Sequence, residues 1–572
     1  MKILKIILGI LLIASFNVSC SDEAFLEEDL RDRFTTENAF LNVAQFQTGL
    51  NQMYRQTRAY FNSADGARDF IKNGYGVDVM ASNTRLEKSE SFWNNLGSHS
   101  QFPNDWYSRN YQMIKNCNEL LLQTENTNIE WKNENQKLEI QAEIRFFRGF
   151  SYRNLATLFG GVPIVLEPVT APKLDFERAT RIETYQVALE DLIFASQYMP
   201  KTTDQPGRAV RAAADHFLSE VYISLGDETG DKTLYQNAID AASRVIEGSD
   251  GDYSLMQNRF GTRSNESGKD AYWDLFRMGN QNYHDGNKES IWTIQFEKNV
   301  AGGTNIYDRP LFERTFWPLY YRANKFGFTS GPAKDWEGKG NAWIKPNNYY
   351  KYDVWKNSET DTRNAEYNIL RNYRAPKVAV NGQQTDRDTT YVTKVTLANG
   401  SEITVNLKPG DIIKKEWLTT RDDTLSYFFP RMFKMGTDKH IDAIPDNGYV
   451  RDAYVIRLPE TYLLRAEAYM KSENRAAAAE DINTVRKRSS ASPITAGEVN
   501  INYILDERAR ELWGEEWRIF TLARLGLIYE RTKEFGWPSD KEAVEMHHNL
   551  FPIPQSAIDA NLEGTIEQNP GY

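Results

Sequence analysis

Six of the chain's 13 tryptophans fall between Trp273 and Trp355. The densest run starts at Thr315 and reads TFWPLYYRANKFGFTSGPAKDWEGKGNAWIKPNNYYKYDVW. It mixes large rings with Asn, Asp, Arg and Gly, and that mixture has a chemical meaning. A sugar offers an apolar face of C–H groups and a fringe of hydroxyls. Holding one takes a flat aromatic platform with Asn, Asp, Arg or Gln at its edge. The candidate platforms are Trp317, Tyr320, Tyr321, Trp336 and Trp343, edged by Arg322, Asn324, Asp335 and Asn341. Trp93, beside Asn94 and Asn95, is a further candidate from an earlier stretch. Gly and Asn neighbours favour exposure of Trp336 and Trp343. The competing account of every one of these rings is packing inside the segment that carries it. Trp292, in the apolar run SIWTIQF, reads as a buried strand residue.

A second group that could do chemistry is Glu507, Arg508, Arg510, Glu511, Glu515, Glu516 and Arg518. Paired carboxylates hydrolyse glycosides when they flank a cleft. Here they lie on helical sequence dense with opposite charge, so ion pairing is the better account. The 6 His are scattered, and the adjacent His547 and His548 cannot both face one site on an extended chain. No zinc-ligand spacing, phosphate loop or nucleophile elbow is present. Acidic loop residues such as Asp361 could hold Ca²⁺, but no EF-hand-like spacing supports one. None of these patterns gives a catalytic or cofactor-binding site. A formal charge of −11 argues against nucleic acid, because phosphate binding needs a concentrated basic face.

The elements that must position these residues are mostly helical. Ala453 to Arg488 reads as two helices joined by a polar turn, Lys471 to Asn474. Tyr462, Ala466 and Tyr469 share one face of the first, and Ala478, Ile482 and Val485 one face of the second. Small residues facing large rings let two helices approach closely, as in tetratricopeptide-like hairpins, which need stacked neighbours. Ala213 to Glu247 repeats the pattern, with Ala238, Ala242 and Val245 on its second helix, Gly226 breaking the chain and a longer intervening loop. Further helices are predicted over 34–58, 105–124, 141–158 and 183–199, and two more flank Gly514 in 504–526. Gly160, Gly161 and Pro163 stop the third of them. Residues 62–103 read as a long loop region. From about Asp250 to Gly448 helical periodicity fades, and TYVTKVTLANGSEITVNL, Thr390 to Leu407, reads as a β-hairpin turning at Asn399-Gly400. The Pro-rich LFPIPQSAIDAN and QNPGY read as extended straps.

At the N-terminus, Lys2 and Lys5 precede a short apolar run, Ile6 to Ala14, and residues 15–19 lead to Cys20. This is the pattern of a signal peptide. Cys20 is placed like the acceptor of a bacterial lipoprotein, where diacylglycerol joins the thiol, although Asn17 stands where a lipobox usually has Leu. Two or more acyl chains, palmitate for example, give stable anchoring. Cys117, the only other cysteine, is expected to be a buried apolar thiol. The acidic SDEAFLEED that follows Cys20 resembles the tract of surface-exported lipoproteins in Bacteroidetes.

Four stretches together resemble one family, the SusD/RagB nutrient-binding lipoproteins of Bacteroidetes. They are QAEIRFFRGFSYRNLATLFGGVPIV, YVIRLPETYLLRAEAYMKSENRAAAAEDINTVRKR, ILDERARELWGEEWRIFTLARLG, and LFPIPQSAIDAN with the closing QNPGY. The resemblance implies a mostly α fold, a tetratricopeptide-like helical-hairpin scaffold carrying a loop-rich insertion with small β-hairpins. It also implies a lipid-anchored protein on the cell outer membrane that caps a SusC-like TonB-dependent β-barrel transporter and captures oligosaccharides, or peptides in the RagB branch. The alternatives from other classes are an α-helical glycoside hydrolase and a helical-repeat adaptor with no small ligand. The expected organisation is a signal peptide over 1–19, an N-terminal helical part over 20–249, a variable ligand-binding part over 250–448, and a C-terminal helical part over 449–572 that packs with the N-terminal one.

Overall fold

The structure, a computed structural model, describes residues 42–61, 76–82, 91–297, 300, 312–323, 325–328, 340–376, 379–380, 383–384, 390–436 and 451–572. Its long helices are α1 (Val43–Phe61), α2 (Gln101–Gln123), α3 (Glu134–Phe159), α4 (Arg181–Tyr198), α5 (Arg211–Thr229) and α6 (Thr233–Ile246). After the loop-rich section come α7 (Leu458–Lys471), α8 (Arg475–Arg488), α9 (Ile501–Leu512), α10 (Arg518–Arg524) and α11 (Ile528–Phe535). The fold is mostly helical, and among the described residues the sheets are two-stranded.

Local signals set the helix ends. Asn133 caps α3 by accepting from the Gln136 N–H, and Gly160, at φ +75°, ends it. Thr180 and Glu183 form a reciprocal capping box at the start of α4, worth about 1 kcal/mol. Gly161 sits so close to the next segment that a Cβ there would lie 1.8 Å from the Ala179 carbonyl oxygen. The chain can turn there only without a side chain.

From α2 to α8 each helix packs on the next in an unbroken row, and α6 packs directly on α7 although about 210 residues separate them in the chain. The loop-rich section is therefore an insertion between two neighbouring helices. Helix α7 is held from both sides. Its Leu463 and Ala466 meet Ala478 and Ile482 of α8, while Leu464 and Ala468 meet Ile223 of α5 and Tyr235, Ala238 and Ile239 of α6. Fully burying each large aliphatic side chain contributes about 1.5–3 kcal/mol, so the stacking of the two hairpins supplies what neither has alone.

Three expectations need correction. Ala453–Arg457 is a strand, paired antiparallel with Ser290–Ile294, and not the first turn of a helix. The helix starts at Leu458 with proline in its first turn, where the missing N–H costs nothing. Gly226 does not break α5, which runs on to Thr229 and ends at Gly230, φ +72°. Gly226 instead makes room for Tyr235, whose ring lies 2.6 Å from where a Cβ would stand. The two hairpin links are also equal in length, Gly230–Lys232 and Ser472–Asn474. The predicted start of the first helix lies outside the described residues.

The hairpin Tyr391–Thr396 with Glu402–Leu407 forms as expected, with Gly400 at φ +85° in its turn. It belongs to a second core, separate from the main one and made by the insertion itself from Tyr320, Tyr321, Phe326, Tyr373, Phe428 and their neighbours. Trp292 is buried in the main core, where its strand packs on Phe146 and Phe150 of α3. The C-terminal strap is tied to α3, the Phe551 N–H donating to Leu158 O at 2.7 Å and Asn569 Nδ2 to Phe159 O at 2.9 Å. Within it Gln555–Asp559 forms a short helix. Cys117 is buried on α2, and burial pushes its thiol far above the usual range.

Candidate functional site

The Trp-rich segment is built around one tight turn, residues 340–343. The Asn341 N–H donates to Arg314 O and the Ala342 N–H to Trp317 O, both at 2.8 Å. A Cβ on Gly340 would lie 2.1 Å from Trp317 O, so only glycine lets the turn sit this close. Ala342 holds φ +55°, a left-handed conformation that costs a non-glycine residue about 1–2 kcal/mol. Such strain persists only where the surroundings enforce it, and it clusters at binding sites. The turn leads into Ile344–Pro346, which pairs with Met80–Ser82 and fixes the turn to the main body. It leaves Trp343 half-buried, resting on the main core. Asn341 is also half-buried and receives the Tyr321 hydroxyl at 3.3 Å. Arg322, next to Tyr321 in the chain, is exposed.

The other platforms are walls and foundations. Trp317 is fully buried. Its indole N–H donates to Met432 O at 2.7 Å, the Arg431 guanidinium lies 4.0 Å from its ring centroid, and Gly436 closes on its edge. Tyr320 and Tyr321 are buried in the second core. Trp93 is buried, its N–H bound to Gly76 O at 2.6 Å and its ring packed against Phe92 and His548. With their faces covered, these four rings offer no platform, and the sequence assignment to them is corrected. Trp336, Asn324 and Asp335 lie outside the described residues, as does Cys20. Of the predicted set, Asn341 and Trp343 share the turn, and Arg322 is exposed next in the chain to Tyr321, whose hydroxyl reaches Asn341.

The charged cluster on α9 and α10 is a buried ion-pair lattice. Glu507 pairs with Arg363 at 2.7 Å, with Arg486 at 2.8 Å and with Arg510 at 3.1 Å. Glu511 pairs with Arg488, Arg457 and Arg363, the first at 2.5 Å. Glu515 takes Arg457 and Lys434, each at 2.6 Å, and Glu516 takes Arg508 and Arg518. Burial alone would raise the Glu507 carboxyl, but Arg363, Arg510 and Arg486 pull it down to about 2. Glu515 and Glu516 are likewise held below the usual range against the effect of burial, the former by Arg457 and Lys434, the latter by Arg508 and Arg518. A general acid of a glycosidase needs a raised pKa, and these carboxylates are all held low. Asp361 is also engaged, its carboxylate taking the Arg363 guanidinium at 2.7 and 2.9 Å.

Comparison with known proteins decides the family. Residues 288–572 match the model described as SusD family, and residues 24–223 match a second, described as starch-binding associating with outer membrane. The chain belongs to the SusD family. SusD-like protein P25 of Formosa agariphila is 24% identical to this SusD-like chain across the whole of both. A solved laminarin binding SusD-like protein superposes with TM-score 0.64 at 21% identity, covering 93% of this chain and 100% of its own. A SusD homolog from Bacteroides thetaiotaomicron gives TM-score 0.67 at 19% identity, with 95% and 100% covered. At these identities the likeness to solved structures establishes the shared fold.

One region of this SusD-like protein escaped sequence reading. The loop 201–208 after α4 divides two open hollows, one lined by Tyr253, Tyr283 and His284, the other by α1 and Gln295. The available signal was GNQNYHDGN, residues 279–287, in which a tyrosine and a histidine stand among Gly and Asn.

Proposed function

We propose that this protein is a lipid-anchored SusD-like protein of the outer membrane, which captures oligosaccharides and delivers them to a SusC-like TonB-dependent transporter. The observation that carries the reading is the match of both halves of the chain to models of one family, one of them described as starch-binding associating with outer membrane. The laminarin binding relative of the same fold supports a glycan as ligand. Cys20 is the proposed lipid attachment site. The insertion is the proposed ligand-binding part, and the helical row from α2 to α8 the scaffold that meets the transporter. Within the insertion, Trp343 supplies the platform, while Asn341 and Arg322 hydrogen-bond to hydroxyls at its edge.

The test is migration in native gels containing laminarin, starch or other polysaccharides. At least one retards the protein, and Trp343→Ala weakens that retention about tenfold, or ~1.4 kcal/mol. If no glycan retards the protein while mixed peptides bind it, the ligand is a peptide and the glycan assignment fails. Co-purification with a large β-barrel, lost when Cys20→Ala mislocalises the protein, tests the anchor and the transporter together.

A further inference from the structure

Loop 201–208 is a rigid divider. Arg208 donates to Glu143 Oε1 through Nε at 2.9 Å and to Gln205 Oε1 through Nη1 at 3.0 Å. Gly207, at φ +79°, accepts from the buried Trp292 indole at 3.0 Å. A Cβ there would lie 2.4 Å from the Gln295 side chain. The hollow on one side holds about 270 Å³, and the more open one on the other about 500 Å³.

The first hollow has two rings meeting edge to face, Tyr253 and Tyr283, with centroids 5.5 Å apart. His284 is exposed beside them and fixed to the loop through Nε2, 2.7 Å from Thr203 O. The second is edged by amides, Asn51 and Gln52 from α1, Gln205 from the loop and Gln295 just after the strand Ser290–Ile294. Rings in one half and amides in the other suit a polyhydroxylated chain lying across the divider.

Charge narrows the ligand further. Among the described lining residues the cations are Lys201, Arg55, Arg58 and Arg208 and the carboxylate is Asp204, with Arg58 itself engaged elsewhere. Arg208 is neutralised by Glu143 behind it, and Lys288 at the rim by Asp252. Arg55 and Lys201 are exposed and make no ion pair among the described residues. A net positive groove on a chain of formal charge −11 is a local feature set against the global field, which would otherwise repel an anion. Guanidinium groups bind carboxylate or sulfate through paired hydrogen bonds.

We infer that the paired hollows around loop 201–208 form a second binding site, separate from the Trp343 turn, for an acidic oligosaccharide carrying carboxylate or sulfate groups. The sugar part of this assignment rests on the glycan reading above, and the anionic part on the groove alone.

Full-length protein without its signal segment is run in native gels containing polygalacturonate, a sulfated carrageenan or neutral laminarin, at 50 and 300 mM salt. At least one acidic polymer retards the wild type at 50 mM and does so less at 300 mM, and which polymer does so names the anionic group. Arg55→Ala combined with Lys201→Ala weakens that retention at least fivefold while leaving laminarin migration unchanged. Trp343→Ala has the reverse pattern. Both arginine and lysine are exposed, so folding of the double variant is expected and is checked by circular dichroism. Absence of retardation by either acidic polymer at 50 mM overturns the assignment, whatever laminarin does. So does equal retention of wild type and double variant. Acidic retention with no laminarin or starch binding would leave the groove standing and remove the Trp343 platform.

Discussion

Glu507 shows what a single residue does in this fold. It is fully buried, and three arginines from three separate segments converge on it. Removing one partner of such a group leaves uncompensated buried charge, at a cost of about 3–5 kcal/mol. Glu507→Gln is therefore expected to lower the stability measured by urea unfolding at pH 7 by about that amount. The folded-state pKa of about 2 lies below the carboxylate's usual 4.5, so the folded protein binds this proton less readily than the unfolded chain does. The stabilisation is complete above about pH 5 and is lost as pH falls through 2. The gap between wild type and variant should narrow over that range, and a gap independent of pH would mean that packing, not charge, is what Gln disturbs. The existence of ion pairing here was legible from the density of opposite charges on 507–518. The partners Arg363, Arg457 and Lys434 were not, because nothing local links residues that far apart. The same limit explains Trp317, Tyr320 and Tyr321. Rings mixed with polar residues suit either a platform or a core, and it is the return of 373–436 over them that makes these three core.

At the scale of elements, the spacing of small residues identified both hairpins, and the structure adds how they meet. By residue type alone Gly226 reads as a breaker, whereas its place inside α5 is set by the Tyr235 ring of α6. Two effects oppose each other there. Alanine is a better helix former than glycine by about 1 kcal/mol, but overpacking a close contact costs about 1–3 kcal/mol. With the ring 2.6 Å from the added Cβ, steric cost should win, and Gly226→Ala is expected to lower the melting temperature by several degrees. A higher melting temperature would show that α5 and α6 can separate without loss and that the hairpin contact is slack. The strand at Ala453–Arg457 marks the opposite failure of local reading. Its residues suit either helix or strand, and the choice is made by Ser290–Ile294 across the pair, a partner that helical periodicity cannot reveal.

For the whole molecule, length alone argues for several independent units, since cores seldom grow beyond about 250–300 residues. The connections argue otherwise. The insertion leaves the helical row after α6 and returns at α7, and these two helices pack on each other. From inside the insertion, Glu289 reaches Arg457 and Arg488 at 2.9 and 2.7 Å, Arg363 reaches Glu507 at 2.7 Å, and Lys434 reaches Glu515 at 2.6 Å. Asp78 does the same from the N-terminal side, holding Arg518 and Arg531. Each broken buried pair costs about 3–5 kcal/mol, and a domain's entire stability is about 5–15 kcal/mol. The insertion therefore cannot unfold alone while the helices remain intact. Calorimetry should show one main transition, with calorimetric and van't Hoff enthalpies in agreement. The hairpin 391–407 is the exception, since its apolar contacts lie in the second core. Its amides should exchange with solvent faster than those of α5 to α8, through local opening. Two resolved transitions of comparable enthalpy would instead make the insertion a separate folding unit, and the buried lattice would then be an interface between domains and not the centre of one.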